Sequence, residues 1–419
     1  MSHDAAGPDD PDTPSAAGPG SAAEAVTAYA RTFLARIPPG HAVVSPLGAW
    51  LLRAMTLDAG AAGPRGDSVT GGSQAAAVAL GLLADPHPLV RASAALWTAP
   101  DVETERLAAF RATLGSATTG PIPSQRDADA WAAEATDGMV PAFPLALDPL
   151  TVLVLANALA TRVSWSRPLG TVPAAELAGP FEDLVASALT TAYRDGQRTL
   201  LAATDLGLLA AHVAQPTPTA DGSGLAVVNV LGPPDATPAD VHAAALDVAR
   251  LVAAGGGPAV EVDPFDAPSA GPGWTVETGT AQLTGDDDRD RVVDASARLP
   301  AWSATTDLDL LPGDGSAYGI DEAVAALTGL LPPEGGPYAA AARQSAYAAF
   351  TREGFEAAAV SAIGLARGAP PKRLREVPSR TLVARFGRPY AVCAVATGPG
   401  PWHGVPVFSA WVEHPDDAA

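Results

Sequence analysis

Residues 151–168 read TVLVLANALATRVSWSRP. A nearly continuous apolar run closed by polar residues predicts a β-strand buried on both faces, which belongs in the middle of a large sheet. Asn157 interrupts the run, and a buried amide needs hydrogen-bond partners. Trp165 stands at the far end, followed by Arg167 and Pro168.

Working outward, ASAALWTA (92–99) predicts a second strand, and DADAWAAEATDGMV (127–140) a helix with Trp131 turned inward and Gly138 near its end. AAEAVTAYARTFLARI (22–37) repeats apolar residues at helical spacing, and GHAVVSP (40–46) follows as a short strand. In SPLGAWLLRAM (45–55), Ser45 caps the exposed amides and Pro46 suits the first helical position, with Leu47, Leu51 and Ala54 on one face. Between about 197 and 312, short strands such as GLAVVNVLGP (224–233) and RLPAWSATTDL (298–308) alternate with turns, interrupted by a helix over 237–254. The segment 388–415 predicts a closing hairpin. The result is an α+β chain without regular β-α alternation or an internal repeat. An acidic, Pro/Gly-rich tail over 1–24 precedes a single domain over 25–415.

Composition narrows the function classes. The formal net charge of -21 disfavours nucleic acid and anionic lipid as partners. The longest apolar runs fall short of the roughly 20 residues a membrane helix needs. The N-terminal stretch lacks the basic start and apolar middle of a secretory signal, which favours the cytoplasm. Cys393 is the only cysteine and Lys372 the only lysine, so neither an intrachain disulfide nor a Gly-Lys-Ser/Thr phosphate loop is available. No G-x-S-x-G, H-E-x-x-H or G-x-G-x-x-G motif occurs. The histidines, among them His87, His212 and His403, stand singly, and the acidic runs 284–294 and 307–316 lack calcium-loop spacing. No metal site is expected.

In this order the segments resemble the serpin family over roughly residues 25–415. VVSPLGAWLLRAM (43–55) is similar to the family's helix B entry, AWAAEATDGMV (130–140) to its helix F, and LANALATRVSWSRPL (155–169) to strand 3 of its sheet A. Asn157 then matches the family's shutter asparagine and Trp165 its breach tryptophan; Ser45 and Gln344 fall at further shutter positions. The resemblance implies a large central mixed sheet with additional antiparallel sheets, about eight or nine helices, and a hinge and exposed reactive-centre loop over 352–380. It implies no cofactor, a monomer, and a serine protease, trypsin-like or possibly a cysteine protease instead, as partner; family members are often secreted. The implied mechanism is suicide inhibition: the loop is cut, the protease stays acyl-linked, and the loop inserts into sheet A.

On this reading, REGFEAAAVSAIG (352–364) is the hinge. As a strand it puts Phe355, Ala357, Ala359 and Ser361 on one face, with Gly354 before them and Glu356, Ala358 and Val360 opposite. An Ala-rich helix capped near Gly354 is the alternative. Counting from Gly354 by the family's pattern places the cut near Gly368, and Arg367 offers a trypsin-like anchor, so the resemblance implies Arg367–Gly368 as the candidate scissile bond. Three departures stand out. Phe355 occupies a position of modest side chains, where its ring is expected to obstruct insertion. Gly48 replaces a shutter serine and Gln344 a shutter histidine, so different contacts from the family's are expected to control sheet opening. Arg352 replaces an acidic residue. A non-inhibitory binding or structural role therefore stays open, and a hydrolase, though lacking a nucleophile motif, stays open as a third class.

Overall fold

The computed structural model describes residues 21–57, 69–191, 196–284, 287–312, 316–335, 338–355 and 374–418. Its α-helices are α1 (Ala22–Leu34), α2 (Pro46–Thr56), α3 (Val69–Ala84), α4 (Glu105–Thr113), α5 (Gln125–Ala135), α6 (Pro238–Ala254) and α7 (Ile320–Thr328). These seven, among the described residues, compare with the eight or nine implied. Short segments opened by proline, Pro100–Val102 and Pro180–Asp183, close as 3-10 turns instead. The first helix begins at Ala22, inside the expected tail, because Ser21 caps it by accepting from the Glu24 amide.

Strands are numbered in chain order. One sheet runs β1 (Ala42–Val44), β20 (Pro406–Val412), β19 (Tyr390–Thr397), β10 (Gly224–Leu231), β9 (Gly207–Ala214), β8 (Gln197–Thr204), β11 (Val260–Val262). A second runs β12 (Ala270–Gly271), β13 (Trp274–Thr284), β18 (Leu374–Arg385), β14 (Val292–Leu299), β7 (Ser187–Thr191), β6 (Gly170–Pro173). Two smaller ladders are connected where β4 of one leads into β5 of the other. One is β3 (Thr118–Pro121), β2 (Arg91–Thr98), β4 (Leu153–Ala160); the other is β15 (Trp302–Asp309), β16 (Arg343–Phe350), β17 (Gly354–Phe355), β5 (Val163–Ser164). The expected closing hairpin is β19 and β20, paired antiparallel.

The decisive run is thus two strands, not one. β4 pairs antiparallel with β2, and β5 with β17, with Thr161 and Arg162 between them. Burial along β4 alternates instead of covering both faces. Val154 and Ala156 pack with Ala95 and Trp97 under α5, where Trp97, Trp131 and Phe143 form an aromatic cluster. Leu153, Leu155 and Leu159 pack against the main core cluster instead and stay half-buried, since β4 has a ladder partner on one edge only among the described residues.

The helix α2 lies at the centre. Its sequence suggests one apolar face, yet Pro46 through Leu51 are all buried, because strands of both the largest sheet and the smaller ladders pack around its first turns. No helix among the described residues is long and apolar enough to cross a membrane.

Candidate functional site

The chain reverses at the end of β16. The Thr351 amide donates to the Gly354 carbonyl at 2.8 Å, leaving Arg352 and Glu353 as a two-residue turn. The Thr351 hydroxyl accepts from the Gly354 amide at 3.2 Å, the local chemistry by which threonine closes turns. The returning residues, Gly354 and Phe355, form β17 and run between β16 and β5: Phe355 stands opposite Phe350 on one side and Val163 on the other.

Directly opposite residues share a face, so Trp302, Phe350, Phe355 and Val163 make one row across four strands. All four are buried, Phe355 at 3% exposure. The Phe355 ring meets Trp302 edge-on at 6.3 Å, and Trp165 lies 5.4 Å from Phe350. The ring expected to obstruct entry is therefore already seated, because the residues opposite and beside it supply an aromatic pocket.

Trp165 and its neighbours lace the turn in place. Its indole N–H donates to Thr351 O at 3.2 Å and its amide to Glu353 O at 2.9 Å. Arg352 replaces the expected acid and donates from Nε to Leu169 O at 3.0 Å, while the Leu169 amide returns a bond to Arg352 O at 2.8 Å.

Farther down, β4 and β16 share no ladder among the described residues, yet both are tied to the start of α2. Gln344 accepts from the Ser45 amide and donates to the Ser45 carbonyl, each at 2.8 Å. Asn157 Nδ2 donates to Gly48 O at 2.5 Å, which supplies a partner for the half-buried amide. Ser45 Oγ accepts from the Gly48 amide and donates to Val407 O at 2.7 Å. Gly48 fits because a Cβ there would stand 3.1 Å from both Gln344 Nε2 and Leu159 Cδ1. The two departures thus belong together: glycine leaves room for the longer glutamine amide.

The structure brings Ser45, Asn157 and Gln344 together around the α2 N-terminus, and Gly354 and Phe355 together with Trp165 at the upper end. Glu356, Ala357, Ala358, Ala359, Val360, Ser361 and the Arg367–Gly368 bond lie outside the described residues.

One polar cluster escaped the sequence reading. His212 on β9 is fully buried, its ring edge-on to Phe350 at 6.3 Å. Asn229 Nδ2 stands 3.3 Å from His212 Nδ1 and also donates to His212 O, so Nδ1 accepts and Nε2–H donates to Gln197 Oε1 at 3.0 Å. Burial pulls the imidazole pKa down to about 3 and keeps it neutral. The available signal was a polar residue in each of two otherwise apolar strands, His212 in GLLAAHVA and Asn229 in GLAVVNVL.

No family model and no curated protein sequence matches the chain. Solved structures do. The serpin of the trematode Schistosoma haematobium is 16% identical, over 94% of this chain and 100% of that one, with TM-score 0.56. The thermophilic serpin tengpin in its native state is 12% identical over 93% of each chain, with TM-score 0.58. Thyroxine-binding globulin in complex with thyroxine is 13% identical, over 93% of this chain and 98% of that one, with TM-score 0.55. The likeness runs almost end to end, and the chain has a divergent serpin fold. At these identities, what is shared is the fold.

Proposed function

We propose, from the serpin fold as premise, that the chain is a suicide-substrate inhibitor of a serine endopeptidase, with a cysteine endopeptidase as the less favoured target. The observation that carries this reading is the path of the chain after β16: it turns back as β17 between β16 and β5, above strands β4 and β16 that share no ladder among the described residues. A strand continuing in that direction would run between β4 and β16.

The proposed reaction begins with attack of the protease's serine oxygen on the Arg367 carbonyl carbon. The Arg367–Gly368 bond breaks, the Gly368 nitrogen leaves as an amine with the proton, and Arg367 remains as an ester on the protease. Residues 356–361 then extend the ladder begun by Phe355, and the small side chains of Ala357, Ala359 and Ser361 suit the face that Phe355 starts. Displacement of the acylated protease before water attacks the ester would make the complex persist. Arg367 before the cut favours a trypsin-like protease.

Incubation with a panel of serine and cysteine proteases tests this. The expected result is an SDS-stable complex with a trypsin-like member, together with release of a C-terminal fragment beginning at Gly368. Cutting without a complex by every protease tried would sink inhibition and support a serpin-fold binding protein. The likeness to thyroxine-binding globulin favours that second reading.

A further inference from the structure

The hinge of an inhibitor of this kind has to be available for insertion, yet its first two residues are already in the sheet before any cut. Three independent features hold them there. The Thr351 turn is encoded locally and points the chain back along β16. The backbone and side chains of Trp165, Leu169 and Arg352 bind that turn to the segment following β5. The Phe355 ring occupies the row formed by Trp302, Phe350 and Val163, all in the main core cluster.

The turn and its hydrogen bonds alone would leave an apolar gap in that row. Without the ring, Phe350 and Val163 would face each other across a strand with no side chain, and Trp302 would lose its T-shaped contact with Phe355. We infer that Phe355 is a lock: in the intact chain it holds the hinge one rung inside the sheet, so the first step of insertion precedes any encounter with a protease. Phe355 is a positioning residue, setting the point from which the following loop departs. Its importance for protease trapping rests on the function proposed above; the lock itself is a property of the uncleaved protein alone.

Hydrogen–deuterium exchange on the full chain, with no protease present, tests it in wild type, Phe355→Gly and Phe355→Leu. In wild type, amides of the 351–355 segment are expected to exchange roughly 10- to 100-fold more slowly than an unstructured peptide. Phe355→Gly should abolish most of that protection, and Phe355→Leu should restore all but a few-fold of it. Unchanged protection in the β19–β20 hairpin identifies variants that remain folded. Unprotected wild-type hinge amides would overturn the lock, and so would a folded Phe355→Gly variant protected like wild type. A protected hinge in a chain that traps no protease would defeat the proposed function while leaving the lock intact; trapping with an unprotected hinge would do the reverse.

Discussion

The two ends of the divided ladder are held by different physics. At the upper end, β17 joins β16 to β5 through backbone pairing and a buried aromatic row. Lower down, β4 and β16 are held from beneath, by amide hydrogen bonds from Asn157 and Gln344 to the first turn of α2. Burial of a large apolar side chain is worth several times a net hydrogen bond, and it has no substitute in water, whereas amide groups can exchange one partner for another. The upper end is thus closed by its core, while the lower end is tethered in a way that can be released without uncovering aromatic rings.

The largest effect is expected at Phe350, which stands opposite Trp302 on one side and Phe355 on the other. Phe350→Ala should cost about 3–5 kcal/mol, read as a lowered denaturation midpoint with an unchanged slope; a cost below that of a tether mutant would erase the distinction between the ends. Acid sharpens the contrast next. The neighbours of His212, namely Gln197, Asn229 and Phe350, bring no carboxylate to it, and its native pKa of about 3 lies below the unfolded value. The unfolded chain therefore binds the extra proton. The stability from neutral His212 is present in full above about pH 6.5 and falls as pH drops toward 3, by about 2 kcal/mol at pH 5. Denaturation series at pH 7 and pH 5 for wild type and His212→Gln measure it, with the variant expected to lose less; equal losses would remove His212 from the account. The smallest effect belongs to the lower tether. Gln344→Ala removes both bonds to Ser45 and should cost about 1–2 kcal/mol. The loss should appear as faster exchange at the start of α2, with the 351–355 segment unaffected.

The sequence was informative where local chemistry decides. Ser45 and Pro46 announce the start of α2, two apolar runs on either side of a Gly/Pro-rich stretch announce the closing hairpin, and Asn157 announces a partner that proves to be Gly48 O. It was less informative where distant residues decide. Gln344 and Ser45 are 299 positions apart, and neither shows locally that the glutamine amide matches the backbone of the helix cap. Phe355 looks too large beside the alanines that follow it, because the space it fills is made by Trp302, Phe350 and Val163 from other strands. The break at Thr161 and Arg162 was hidden by the apolar residues on both sides, since side-chain character does not report where a strand changes partner.

The placement of indoles around the turn also has an optical consequence. Of the eight tryptophans, Trp302 meets the Phe355 ring edge-on and Trp165 donates its indole N–H to Thr351 O. Departure of the hinge would bring water to one ring and remove the acceptor of the other, so emission from these two would change together. The protein thus carries an unlabelled reporter of its own hinge, set against the background of six other indoles, and ultraviolet light alone can follow the strand in and out of the sheet.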